Sequence, residues 1–341
     1  MGVEISRCRD ALRRTVCSAV VRGALAMSTI TQAFVLSAGL GTRLRPLTDE
    51  IPKPLIPIFQ KPLITFALDH LIAAGVGKFV INMHRFPETF RAFFPGNSYA
   101  GCSVALIYEP ELLETGGGIK NAQLSLGDGA FITYSGDILT DIDLRPLIEE
   151  HFARGNDVTL ALRATGLGTD MALRGNRVVD IAKRYGIPGT LDFANIAVWN
   201  SEIFRRIPPG LKISFIPILS DWIGDGGKVG GLVLNGGKWF NIGSRGEYLD
   251  VHRVILRERW RPYYIRNGRW PESVAQTARV HPNAQLRGCT VVGADCEVGA
   301  DAVLEDTILW PGAQIASKSR LRSCIVRSHK TVSGIHSNTD I

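Results

Sequence analysis

Residues 34–58 constrain this chain more than any other stretch. An apolar run from Ala33 to Leu36, long enough for a short buried strand, gives way at once to Ser37, Ala38, Gly39 and Gly41. Residues without side-chain bulk let backbone N–H groups approach a ligand, and such loops cradle phosphate oxygens. Thr42, Arg43, Arg45 and Lys53 follow, and cations close behind such a loop suit a polyanion such as a nucleoside triphosphate. Two familiar phosphate loops fail here. The P-loop spacing Gly-x-x-x-x-Gly-Lys-Ser/Thr is absent. The dinucleotide fingerprint needs a third glycine three residues after the second, and Leu44 stands there.

What remains is long and specific: Gly39-x-Gly41-Thr42-Arg43-x-Arg45-Pro46-Leu47-Thr48, then Pro52-Lys53-Pro54-Leu55. It closely resembles the signature of the sugar-1-phosphate nucleotidylyltransferases, the nucleotide-sugar pyrophosphorylases. The resemblance implies that Leu36, Ser37, Ala38, Gly39, Gly41 and Thr42 hold a nucleotide. It also implies that Arg43 holds the leaving phosphates and that Lys53 bridges the α-phosphate and the sugar phosphate.

Downstream, Pro62 is expected to open a helix with Leu63, Phe66, Ala67, Leu71 and Ala74 at helical spacing, closed at Gly75. Strands are expected over 78–82 and 103–108, with a helix over 88–94 between them. This alternation predicts an α/β domain with a mostly parallel sheet. Gly116, Gly117 and Gly118 stand just ahead of a helical stretch and are expected to let the backbone approach a ligand. In the resembling family this loop lies against base and ribose, which implicates Glu114, Thr115, Gly116 and Gly117. The Glu-Thr-Gly-Gly-Gly form resembles N-acetylmuramate-1-phosphate uridylyltransferases; guanylyltransferases for mannose 1-phosphate more often carry Gly-Thr-Ala-Gly.

An apolar strand over 131–134 ends in Ser135, Gly136 and Asp137, and the carboxyl ends of sheet strands are where open α/β folds bind ligands. The resemblance implies Ser135 as a nucleotide contact and Asp137 as a ligand of Mg²⁺, a hard cation that takes oxygen donors. Asp141 and Asp143 are loop or helix-cap residues. A helix over 144–154 and a strand over 158–162 follow. After the strand over 177–181, many relatives place Glu-Lys-Pro against the sugar; Ala182 replaces the glutamate here, so only Lys183 carries over. Asn195 stands in the 193–199 strand where relatives have glycine. Its amide either reaches sugar hydroxyls or bonds the backbone. Residues 214–234 supply a helix, then a strand over 229–234. The stretch 238–244 resembles Trp-Phe-Asp-Ile-Gly-Thr, whose Asp is the second metal ligand; Asn241 occupies that position.

Residues 257–274 are expected to be a linker. Beyond it, Val280, Leu286, Val292, Val298 and Leu304 recur every six residues, with Ala284, Thr290, Cys296 and Ala302 four after each of the first four. The phase slips near Trp310-Pro311-Gly312 and resumes at Ile315 and Leu321. Such a hexapeptide rhythm predicts a parallel β-helix. It resembles the left-handed β-helix that follows the catalytic domain in several nucleotide-sugar pyrophosphorylases. Few coils with exposed ends are expected to dock on the catalytic domain or on another subunit, a route to a homo-oligomer. Hexapeptide helices also build acyltransferases, but the available bases, His281 and His329, lie near the ends of a short repeat.

The domain plan is therefore an extension over 1–27, a Rossmann-like nucleotidyltransferase domain over 28–256, a linker over 257–274 and a β-helix over 275–335. A length of 341 residues fits two domains. Five arginines precede Met27, the expected natural start, and the segment is poor in acids, as transit peptides are. The net charge of +7 suits anionic small substrates without requiring nucleic acid. No apolar run approaches the roughly 20 residues of a membrane helix. Six cysteines without a Cys-x-x-Cys pair fit reduced thiols in a cytoplasm.

The implied reaction joins a nucleoside triphosphate to a sugar 1-phosphate and releases pyrophosphate. The glycine triplet leans towards uridine and N-acetylmuramate; the two-domain layout leans towards guanosine and mannose. Two alternatives stand beside it: a regulatory paralogue that binds nucleotide-sugar without turnover, motivated by Asn241, and a nicotinamide-binding dehydrogenase, opposed by the missing third glycine.

Overall fold

A computed structural model describes residues 29–166, 168–266 and 268–341. The expected extension over 1–27 lies outside the described residues.

The signature strand, Gln32–Leu36, occupies the middle of a ten-stranded sheet. It pairs in parallel with Lys78–Met83 on one side and Phe131–Ser135 on the other. Successive side chains point to opposite faces. Ala33 and Val35 pack on one side with Leu68, Leu71 and Ile148; Phe34 packs on the other with Ile119, Trp199 and Leu219. Helices Ile64–Ala73 and Arg145–Arg154 supply the first face, Glu114–Asn121 and Phe215–Gly224 the second. With both faces covered, the central strands are apolar nearly throughout. Seven of the ten strands run in one direction; Ser98–Tyr99, Arg177–Ile181 and Asp192–Trp199 oppose them. The sheet is mixed and mostly parallel, as expected.

Pro62 does not open a helix. It lies in a short hairpin, Pro57–Ile58 against Lys61–Pro62, and the helix begins at Ile64. Phe59 turns this hairpin with φ 50°, and the apolar spacing that suggested an earlier start belongs in part to the hairpin.

The carboxyl-terminal strands form three parallel stacks with Arg279↔Glu297↔Gln314↔Thr331 as one register line. The three stacks are the flat sides of a parallel β-helix whose interior holds Val292, Val298, Leu304, Ile315 and Leu321. The phase slip falls earlier than expected. Leu309 follows Leu304 by five residues and Val326 follows Leu321 by five, and all four are interior. Asp306 (φ 49°) and Ser323 (φ 50°) turn those two tight corners in the left-handed region, which short polar residues tolerate better than most.

Residues 257–274 are no loose tether. Trp260, Tyr264, Ile265 and Trp270 are buried in one core with Leu47, Phe59 and Tyr248 of the first domain and Val291, Ile308 and Trp310 of the β-helix. The Tyr248 hydroxyl donates to Pro57 O at 2.6 Å and accepts from Trp310 Nε1 at 2.9 Å. Arg245 pairs with Asp340 at 2.6 Å, and Arg327 and Lys330 both reach Glu50. The β-helix thus docks on the first domain of the same chain. No helix among the described residues is long and apolar enough to cross a membrane.

Candidate active site

Two cavities open side by side at the carboxyl end of the sheet, and Leu36, Thr115, Ser135 and Ser214 line both. The first, of about 360 Å³, is also lined by Ser37, Ala38, Gly39, Lys53, Asn82, Glu114 and Asp137. The second, of about 380 Å³, is lined by Thr169, Met171, Ile181, Ala182, Phe193, Asn195, Phe215 and Ile216 among others.

The first is built by the signature. Gly41 turns the loop at φ 64°, and a Cβ there would lie 3.0 Å from Thr48 Cγ2 and 3.2 Å from Lys53 Cβ. Only glycine meets both demands comfortably. The Thr48 hydroxyl donates to Gly41 O at 2.8 Å and holds the turn. Behind it, the turn Lys53–Leu55 aims Lys53 into the cleft with a side chain only 9% exposed. Its ammonium lies 2.5 Å from Asp137 Oδ2. Asp137 stands two residues past the end of Phe131–Ser135, where the chain enters the small sheet formed by Ile138–Thr140 and Trp239–Asn241. Asn241 pairs in register with Ile138, and the Ile242 N–H donates to Asp137 O at 3.2 Å. The two expected metal-ligand positions therefore adjoin. Arg43 stays outside the cavity lining and is exposed. Its guanidinium leans on the same turn: a Cβ on Gly243 would come 2.8 Å from Arg43 Nη2. Thr42, in the adjacent turn, is exposed as well.

Two expectations about backbone approach need correction. The Ser37 N–H is taken by Asn82 Oδ1 at 2.7 Å, so it is not free for a phosphate. Its hydroxyl is buried without a hydrogen-bond partner among the described residues. The glycine triplet lies inside the helix Glu114–Asn121, not ahead of it. A Cβ on Gly116 would sit 2.8 Å from Ile213 O, and one on Gly117 2.3 Å from Leu211 O. Both amides donate to Ile213 O, at 2.8 and 3.0 Å. Gly116 and Gly117 are there for segment 211–215 to pass close to the helix; Glu114 and Thr115 face the cavity.

In the second cavity Asn195 sits at φ 62° in the middle of Asp192–Trp199, where the pairing with Val158–Arg163 is irregular. Glycine suits such a position and Asn tolerates it, which reconciles this residue with the glycine usual there. Lys183 is not brought to the lining; it pairs with Asp170 at 3.1 Å on the rim, and Ala182 faces the cavity instead. Asp141 and Asp143 are structural, as expected. Asp141 accepts from Lys238 N and Trp260 Nε1, and Asp143 caps Arg145 N. Sequence reasoning missed Asn82, Ser214, Met171, Phe193 and Phe215. Only Asn82, a polar residue ending an apolar strand, carried a local signal.

The arrangement offers a phosphate loop with a buried cation and a carboxylate, adjoining an uncharged pocket of sugar size. A model of the nucleotidyl transferase family matches residues 32–170. The chain is 31% identical over 293 residues to a mannose-1-phosphate guanylyltransferase from Mycobacterium tuberculosis, covering 83% of this chain and 80% of that protein. It is 32% identical over 225 residues to an N-acetylmuramate alpha-1-phosphate uridylyltransferase from Caulobacter vibrioides, covering 62% and 91%. A UDP-glucose pyrophosphorylase from Acinetobacter baumanii shares the fold with a TM-score of 0.59 at 19% identity, over 67% of this chain and 94% of that one. With this site, this fold and these relatives, the chain belongs to the nucleotidyl transferase family.

Proposed function

We propose that the protein transfers a nucleotidyl group from a nucleoside triphosphate to a sugar 1-phosphate, giving a nucleotide-sugar and pyrophosphate. The observation that carries this reading is the Lys53–Asp137 pair, which joins the Lys53–Leu55 turn to the loop after Phe131–Ser135 in the lining of the first cavity, beside the wall common to both cavities. The first cavity takes the nucleotide, the second the sugar.

A sugar-phosphate oxygen attacks the α-phosphorus in line, the bond from that phosphorus to the α,β-bridging oxygen breaks, and pyrophosphate leaves opposite. The nucleophile is already an anion, so no general base is needed; the rate comes from positioning and from neutralising charge. Lys53 lies between the two phosphates and offsets their repulsion. Arg43, leaning on the Gly243 turn, holds the departing phosphates. Ser37, Ser135 and Thr115 supply hydroxyls around the nucleotide, and Asn195 supplies an amide to the sugar hydroxyls.

Family members generally use a divalent metal. Among the described residues no cluster of three or more His, Cys, Asp or Glu is placed to hold one. Asp137 and Asn241 nevertheless adjoin and offer only oxygen donors, which fits Mg²⁺ completed by phosphate oxygens and water. When bound there, the ion would draw charge from the α-phosphate.

The triplet helix favours uridine with N-acetylmuramate, and the attached β-helix favours guanosine with mannose. A cytoplasmic setting and a homo-oligomer formed through the β-helix complete the proposal. Pyrophosphate release, crossing UTP, GTP, dTTP, CTP and ATP with a panel of sugar 1-phosphates, tests the reaction and names both substrates. Silence across the panel, with nucleotide-sugar binding still raising the melting temperature, would favour a regulatory subunit. Asn241, neutral where the family has a carboxylate, is the observation behind that second reading.

A further inference from the structure

We propose that Asn82 and Glu109 are positioning residues that set the spacing of the two jaws of the nucleotide cavity; this rests on the first cavity being the nucleotide site. Asn82 is buried near the end of Lys78–Met83, and Glu109 is 0% exposed just beyond Cys102–Tyr108. Asn82 Oδ1 accepts from Ser37 N at 2.7 Å, and Asn82 Nδ2 donates to Glu109 Oε1 at 2.8 Å. Glu109 Oε2 accepts from Leu113 N at 3.2 Å. Ser37 opens the signature loop, and Leu113 is the residue before the helix that presents Glu114 and Thr115. One unbroken chain of hydrogen bonds therefore runs from one jaw to the other, through Asn82 in the cavity lining and Glu109 behind it.

This pair is a costly way to fill a core. Burying a carboxylate and an amide is unfavourable unless each is bonded, and an apolar pair of similar volume is often as stable. What apolar residues cannot do is hold two backbone N–H groups at a fixed separation. The fit is close on the third side as well: a Cβ on Gly118 would lie 3.1 Å from both Asn82 Nδ2 and Glu109 Oε1. The last glycine of the triplet leaves room for the pair. The direction of every bond is fixed, because both ends are backbone donors; Asn82 must present its oxygen to Ser37 and its nitrogen to Glu109.

That polarity gives a decisive test by exchange. In Asn82→Asp two acceptors face each other, and in Glu109→Gln a donor faces a donor. In the double variant the carboxylate at position 82 accepts from Ser37 N and from the new amide at 109, whose oxygen accepts from Leu113 N. Net charge and bond count are those of the original. Titration calorimetry with each nucleoside triphosphate, and KM values where turnover is found, are the readouts. Each single variant is expected to weaken nucleotide binding at least tenfold with the KM for sugar 1-phosphate changed less than threefold; the double variant is expected within threefold of the original. A purely structural pair would lower the melting temperature and leave nucleotide affinity alone. Singles that bind normally, or a double variant no better than the worse single, overturn the proposal. If the singles do not fold, amide hydrogen exchange on the unaltered protein decides: Ser37 N–H is expected to be protected without nucleotide, unlike Gly39. Exchange at Ser37 as fast as at Gly39 overturns it. Absence of turnover with normal nucleotide binding would refute only the proposed reaction, since the binding readout stands alone.

Discussion

The two cavities sit side by side and are built in opposite ways. The first cavity, proposed for the nucleotide, takes its glycine loop and its cation from one local stretch, Leu36 to Lys53, and Asn82, Glu114, Thr115, Ser135, Asp137 and Ser214 complete its lining. The second cavity, proposed for the sugar, draws Met171, Ile181, Phe193, Asn195 and Phe215 from four separate segments, and none of its lining side chains among the described residues is charged. Phosphate recognition needs a few donors and cations at fixed spacing, which a loop and one ion pair supply. Recognition of a ring with hydroxyls needs a shaped wall with a few polar points, and a wall has to be assembled from distant chain. A transferase of this kind can therefore keep its chemistry while changing its sugar.

The sharpest way to break the contrast is at the ion pair. Lys53→Ala and Asp137→Ala are each expected to lower kcat/KM by about 10²–10³, the usual cost of one well-placed charge contact to a transition state. A loss below tenfold in folded protein, measured by pyrophosphate release, would remove that residue from its role.

The scaffold behind the first cavity should also be sensitive to acid. His252 Nε2 accepts from Phe59 N at 3.2 Å while Nδ1 bonds Tyr248 O at 2.7 Å, so the ring is bound as the neutral form. Burial lowers its pKa to about 4, and burial likewise lowers that of His70 to about 4. Both lie below the value of 6.5 for the free side chain. The unfolded chain therefore binds these protons first, and the stability from neutral burial is full above pH 6.5 and lost as pH falls towards 4. By pH 5 each histidine is expected to have given up about 2 kcal/mol. Melting temperature measured from pH 7.5 to 5 checks this; a flat profile would sink it.

Smaller effects should separate the halves. Asn195→Ala is expected to raise the KM for sugar 1-phosphate about tenfold, roughly the value of one hydrogen bond, with the nucleotide KM unchanged. Equal shifts in both constants would erase the division. Asn241→Asp restores a carboxylate beside Asp137 and is expected to leave metal affinity unchanged or tighter by calorimetry. A clear loss of activity would give the neutral amide a purpose of its own.

The parts of the molecule legible in the sequence are those whose physics is local. Gly41 with Thr48, the strand ending in Ser135 and Asp137, and the six-residue rhythm from Val280 to Leu304 each declare themselves within a few residues. The glycine triplet misled, because its closeness to segment 211–215 rather than to a ligand depends on chain nearly 100 residues away. The linker misled for a related reason: aromatic residues such as Trp260 and Trp270 report burial but not against what. The phase slip was placed a few residues late because Asp306 and Ser323 look like any polar corner until their left-handed turns are seen.

The sequence by itself determined the α/β class, the glycine turn followed by Lys53, the strand end before Asp137, and the β-helix, since backbone turns, strand ends and hexapeptide corners follow short-range steric rules. Tertiary structure decided the rest. It joined Asn82 in the cavity lining to the buried Glu109, moved Lys183 to the rim beside Asp170, collected the apolar wall of the second cavity and seated the β-helix on Tyr248 and Glu50. Each of these is a contact between segments far apart in the chain, and only packing, which acts through space and not along sequence, selects such contacts.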